Sequence, residues 1–195
     1  ACIAGLVDAS RLLLDSGARF DVVTTLQGHS PLMSACLNGS TEIVKMLLSR
    51  GADTSVRSTV NGYSAFMLAC LNSHTVVMDL LLKNGCDINF ASRINGLTAL
   101  MMVSEEGNIK IVDELLRVGA SFDVLNKVTG GTALILASRQ GHIRIVKSLL
   151  RVGADIFPMD LGGCTAIDHA LRNKHTAVVA LLKEAFKSQS MGSTT

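Results

Sequence analysis

The sequence predicts an all-α solenoid of stacked helix–turn–helix units joined by β-hairpin-like fingers, and three observations predict it. A Gly-Ala landmark recurs at Gly17-Ala18, Gly51-Ala52, Gly85-Cys86, Gly119-Ala120 and Gly153-Ala154, each 34 residues after the last. A second landmark stands at Ser30-Pro31-Leu32, Ser64-Ala65-Phe66, Thr98-Ala99-Leu100, Thr132-Ala133-Leu134 and Thr165-Ala166-Ile167, at spacings of 34, 34, 34 and 33. Between the landmarks, apolar residues fall on one face of a 3.6-residue period. A fixed period of about 20–50 residues marks a repeat array, in which each unit buries its apolar face only against its neighbours.

The first 23 residues supply the end of one helix and a second helix from Leu6 to Ser16, closed by Gly17 as the left-handed residue that commonly ends a helix. Each later unit follows one plan. A short helix A starts at the landmark Ser or Thr, whose hydroxyl accepts from free N–H groups of the first turn. It ends at Gly39, Ser73, Gly107, Gly141 or Lys174. Helix B follows, with Ile43-Val44, Val76-Val77, Ile111-Val112, Ile145-Val146 and Val178-Val179 on its inner face. An extended connection then runs to a turn at Gln27-Gly28, Asn61-Gly62, Asn95-Gly96 or Thr129-Gly130, where Asn and Gly tolerate positive φ. From landmark glycine to landmark Ser/Thr is 13 residues four times and 12 the last time.

These boundaries give a repeat domain over 1–187: a partial repeat at 1–23, full repeats at 24–57, 58–91, 92–125 and 126–158, and a closing cap at 159–187. The polar tail 188–195 has no periodicity and is expected to be disordered. Ala1 aligns with Ala35, in mid-helix, so the chain is expected to be a piece of a longer protein.

The copy GTALILASRQGHIRIVKSLLRVGAD, from Gly131 to Asp155, resembles the ankyrin repeat, whose usual form is D-x-x-G-x-T-P-L-H-x-A-A-x-x-G-H-x-x-I-V-x-x-L-L-x-x-G-A-D. The resemblance covers nearly the whole chain. It implies helix–turn–helix–hairpin units stacked into a curved surface that binds proteins, and it names no partner. The T-P-L-H tetrapeptide is poorly kept: proline survives only at Pro31, with Ala65, Ala99, Ala133 and Ala166 elsewhere. Its histidine is replaced by Met33, Met67, Met101, Ile135 and Asp168; the Met and Ile side chains can only pack, and are expected inside the stack. Aliphatic residues recur near each turn glycine at Leu26, Val60, Ile94, Val128 and Leu161. They either pack finger on finger or form an exposed apolar rim of the kind that marks interfaces.

Composition narrows the classes. The chain is 48% hydrophobic, but no apolar run approaches the roughly 18 residues of a membrane span. A net charge of +2 gives no global pull toward nucleic acid or anionic membrane. Residues 127–195 carry nine basic and four acidic side chains without a Tyr or Trp for base stacking, which reads as a solvated face. Nucleic acid is not expected as a partner. The five cysteines form no C-x-x-C pair. Cys2, Cys36 and Cys70 fill one column that Ser104 and Ser138 continue. Stacked positions lie about 8–10 Å apart, beyond the roughly 7 Å a disulfide allows. Reduced thiols fit a cytoplasmic or nuclear location.

Catalytic and metal chemistry find little support. His74, His142 and His175 fill one column at spacings of 68 and 33, too far apart in a stack to share an ion. Cys164, Asp168 and His169 cluster, but a nucleophile needs a base within reach and a third group orienting it. Adjacent helical residues such as Asp168 and His169 point in different directions. No phosphate-binding glycine loop is present. No enzyme activity, cofactor or metal is expected.

The resemblance places the partner surface on the concave side, at the finger tips and the exposed face of helix A. The freely varying positions there are the residue after each turn glycine (His29, Tyr63, Leu97, Gly131, Cys164) and the late helix-A pairs. Those pairs are Leu37-Asn38, Leu71-Asn72, Glu105-Glu106, Arg139-Gln140 and Arg172-Asn173. The candidate contacts are Tyr63, Leu71, Asn72, Leu97, Glu105, Glu106, Arg139, Gln140 and Arg172. Tyr63 is either an interface anchor or a finger residue packed on its neighbour. The partner expected is an extended or helical segment, acidic toward Arg139 and Arg172 and basic toward Glu105 and Glu106. The function read from this is a non-catalytic protein–protein interaction module of a scaffold or adaptor. The alternative is the regulatory region of an enzyme or channel.

Overall fold

The computed structural model describes residues 1–4, 6–23 and 28–192, without the side chains of Ile3 and of residues 189–192. The chain divides into two compact units, Ala1–Asn95 and Gly96–Thr195. The first holds a 3₁₀ turn at Cys2–Ala4 and helices α1 (Val7–Asp15), α2 (Pro31–Leu37), α3 (Thr41–Ser49), α4 (Ala65–Leu71) and α5 (Thr75–Lys83). The second holds α6 (Ala99–Glu106), α7 (Ile109–Arg117), α8 (Ala133–Gln140), α9 (Ile143–Arg151), α10 (Ala166–Arg172) and α11 (Thr176–Gly192). Within each unit the helices form two rows. Helices α2 and α4 pack together, backed by α3 and α5; α6, α8 and α10 pack in sequence, backed by α7, α9 and α11.

The landmark hydroxyls start the front-row helices. Ser30, Ser64, Thr98, Thr132 and Thr165 accept from the backbone N–H groups of Met33, Met67, Met101, Ile135 and Asp168, at 3.2 to 3.4 Å. Each bond satisfies a donor that the helix cannot. In the closing repeat Asp168 reciprocates, accepting from the Thr165 backbone N–H at 2.9 Å. The front helices α2, α4, α6 and α8 have no solvent face over most of their length, whereas α10 buries only Ala166 and Ala170. Helix α8 is buried from Ala133 through Ser138 because α6, α9 and α10 surround it. That explains why the tetrapeptide histidine column became apolar: Met33, Met67, Met101 and Ile135 are each no more than 2% exposed.

The back-row helices bury a single stripe: Ile43, Val44 and Leu47 in α3, Ile111, Val112 and Leu115 in α7, Ile145, Val146 and Leu149 in α9. In α5 the stripe is Val77, Met78 and Leu81, and Val76 is 60% exposed, which corrects the expected Val76-Val77 pair by one residue. The paired valines disguised a register in which the flexible thioether of Met78 fills the second inner position.

The fingers are loops rather than hairpins with a ladder. Ser58 N–H donates to the Tyr63 carbonyl at 2.9 Å, Asn126 N–H to Gly131 at 2.9 Å, and Asp160 N–H to Cys164 at 3.0 Å. Only Arg57 and Ser64 form a bridge of antiparallel type among the described residues. Leu26 lies outside them. At the carboxyl end α11 runs on to Gly192, into the tail 188–195 for which disorder was the expectation. Among the described residues no helix is long and apolar enough to cross a membrane.

Candidate functional site

The four fingers opened by Ser58, Ser92, Asn126 and Asp160 are each organised by that first side chain. Ser58 Oγ accepts from Val60 N–H, Ser92 Oγ from Ile94 N–H, Asn126 Oδ1 from Val128 and Thr129 N–H, and Asp160 Oδ1 from Gly162 and Cys164 N–H. Short polar side chains close their own turns in this way. Neighbouring fingers are then tied together. Ser92 Oγ donates to the Asn61 carbonyl at 2.9 Å in the first unit, and Leu161 N–H donates to the Thr129 carbonyl at 2.8 Å in the second.

The aliphatic row rides on this framework. Ile94 lies against Gly62, and Val128 against Gly96, where an added Cβ would meet them at 3.3 and 3.1 Å. The same side chains remain largely in solvent: Val60 is 62%, Ile94 54%, Val128 48% and Leu161 78% exposed.

The carboxyl ends of the front helices are fixed by the histidine column. His74 Nε2–H donates to the Leu37 carbonyl at 3.1 Å, His142 to Glu105 at 2.9 Å and His175 to Arg139 at 3.0 Å. A carbonyl can only accept, so the bond sets the Nε2–H tautomer. Each ring lies on the glycine that ends the preceding front helix. A Cβ at Gly39, Gly107 or Gly141 would fall 2.4, 2.7 or 2.5 Å from it. These histidines fasten one repeat to the one before it.

Against this frame the predicted contact residues fall into three kinds. Tyr63 is half-buried and its hydroxyl accepts from Asn95 Nδ2 at 3.2 Å, so it packs on its neighbour. Leu71 and Leu97 are also half-buried. Asn72 Nδ2 donates to the Leu68 carbonyl at 2.9 Å, capping its own helix. Glu106, Gln140 and Arg172 end their helices exposed. Partial desolvation by its surroundings, and behind it the neighbouring Glu105 charge, holds the otherwise exposed Glu106 carboxyl above its ordinary range. Glu105 and Arg139 form an ion pair with each other. The expected acidic and basic zones of the groove therefore neutralise one another there, because a 34-residue period stacks them side by side. The column after the turn glycines is also less open than expected, since His29, Gly131 and Cys164 are buried.

Asp168 does not orient His169. Asp168 is engaged with Thr165, whose hydroxyl and N–H hold its carboxyl below the usual range. His169 Nε2 turns instead to Asp160 Oδ2 at 2.7 Å. Asp160 carried no expected role, and its signal was positional: it opens the last finger, nine residues before His169. A family model for ankyrin repeats matches the chain in three copies, over residues 1–58, 53–126 and 100–191. No curated protein matches it.

Proposed function

The chain belongs to the ankyrin-repeat family, and on that premise we propose that it binds a peptide or protein partner across its finger tips and the exposed ends of its front helices. Ankyrin repeats are generally protein–protein interaction modules and typically non-catalytic. The observation that carries the finer reading is the exposed aliphatic row. Val60 and Ile94 in the first unit and Val128 and Leu161 in the second stand in solvent on loops fixed by internal hydrogen bonds. Covering such side chains is worth about 25 cal/mol per Å², and rigid loops lose little entropy on binding.

Polar selection comes from Arg172, Gln140 and Glu106, whose ends face solvent, rather than from the paired Glu105 and Arg139. The test is Val60→Ser with Ile94→Ser, assayed by proximity capture and then by direct binding to whatever the wild type captures. Partner binding is expected to fall at least about tenfold, roughly 1.4 kcal/mol, with helicity and Tm unchanged. Unchanged binding would sink the proposal, and a lowered Tm would return the row to finger packing.

A further inference from the structure

Among the described residues, Asp160, Cys164 and His169 bring a carboxylate oxygen, a thiol sulfur and an imidazole nitrogen within 4.8 Å of one another. They come from three columns of the repeat that hold no such set in the other copies. The equivalent triples are Thr24, His29 and Ser34; Ser58, Tyr63 and Leu68; Ser92, Leu97 and Met102; Asn126, Gly131 and Leu136. The His169 column is elsewhere uncharged and buried, with Ser34, Leu68, Met102 and Leu136 at 2, 3, 4 and 5% exposure. A polar ring has thus entered a core position in the one copy where a buried thiol and a carboxylate stand beside it. Cys164 is 3% exposed, and the His169 and Asp160 side chains 14% and 18%.

We propose that Asp160, Cys164 and His169 form a zinc site that ties the last finger to α10, with water completing a tetrahedral set. Thiolate, imidazole and carboxylate are the donors zinc prefers, and three protein ligands with one water is an established arrangement for it. Bonds of about 2.0–2.3 Å place tetrahedral ligand atoms roughly 3.3–3.6 Å apart. His169 Nε2 and Asp160 Oδ2, at 2.7 Å, separate by about 0.6 Å to reach this, and the sulfur closes in. Asp160 Oδ1 stays with the Gly162 and Cys164 N–H groups, which aim Oδ2 as outer-shell partners aim a ligand. Binding replaces the His169–Asp160 hydrogen bond and the Cys164 contact to the Gly162 carbonyl at 3.5 Å. The thiol proton leaves to solvent, so affinity rises with pH.

The test is cobalt(II) titration of the reduced, metal-free chain, followed by zinc(II) displacement. Wild type is expected to bind one cobalt ion with a thiolate charge-transfer band and tetrahedral visible bands, both abolished by zinc. Cys164→Ser loses the charge-transfer band, while Cys86→Ser keeps it. Asp160→Asn retains the oxygen that closes the turn but not the anionic ligand. It is expected to stay folded by circular dichroism and to bind at least about tenfold more weakly. A folded wild type without the band, a band that survives Cys164→Ser, or an Asp160→Asn affinity equal to wild type overturns the site. This test stands apart from partner binding, which the finger variants read separately.

Discussion

A single hydrogen atom at Gly141 lets the His175 ring reach the Arg139 carbonyl. Gly141→Ala is expected to cost about 1–2 kcal/mol from its φ of 78° alone, with a further loss as the ring is displaced. Lys174 ends the last front helix at φ 61° without the freedom of glycine. Lys174→Gly therefore gains a net of about 0.5–1 kcal/mol, strain relief less the entropy a glycine loses on folding. Urea unfolding of the two variants should give shifts of opposite sign; like signs would refute the argument. Ser138 supplies a second residue-scale case. Its hydroxyl is fully buried and has no hydrogen-bond partner among the described residues. Leaving such a group unpaired costs about 1–3 kcal/mol, so Ser138→Ala is expected to raise Tm by a few degrees in calorimetry. Both columns could be seen in the sequence as repeats of letters. That the histidine touches the preceding glycine could not, because the contact depends on how one unit rests on the next.

Helices show the same division between what periodicity reveals and what packing decides. Five start sites were legible because a hydroxyl before an apolar run has one efficient use, and each is a cap. The stripe of α5 was misplaced by one residue because Val76 and Val77 look alike to any periodic template, and only burial distinguishes them. The closing elements carry a pH consequence. Hydrogen bonds from the Cys164 backbone N–H and from His169 hold the Asp160 carboxyl below its usual range, and Thr165 does the same for Asp168. A carboxylate depressed on folding stabilises fully above its unfolded value, near 3.9, and loses that contribution as pH falls through the lower folded value. Thermal melts are expected to be flat through this term above about pH 5 and to fall from about pH 4 downward. Asp160→Asn with Asp168→Asn should flatten the fall, and an unflattened curve would assign it to other groups.

At the scale of the whole molecule, ion pairs such as Arg19–Asp21, Lys45–Glu42, Arg50–Asp15, Arg117–Glu114 and Arg139–Glu105 join part of the charge, and the proposed contact residues Val60, Ile94, Val128 and Leu161 carry none. Partner binding through the apolar row is therefore expected to be insensitive to salt. Raising ionic strength from about 0.05 to about 0.5 M should change Kd by less than about threefold, and a steep decline would put Arg172 and its neighbours at the centre instead. The architecture was readable because it repeats, and each copy corroborates the rest. The contact surface was less so, since Glu105 and Arg139 looked like two opposed zones until the stack joined them. The proposed zinc triad was hidden further, because adjacency in the sequence grouped Cys164 and His169 with Asp168 rather than with Asp160.

The finger loops differ in one respect that outlasts any particular partner. Gly62 and Gly130 N–H groups bond back four residues, to Ser58 and Asn126, whereas Gly163 bonds back three, to Asp160. The last loop has dropped a residue, yet it still delivers its closing bond and a capped helix. Length at the tip is thus decoupled from the register of the helices behind it. For protein engineering, the tips are the natural places to graft foreign recognition sequences, with the front helices left untouched as a chassis.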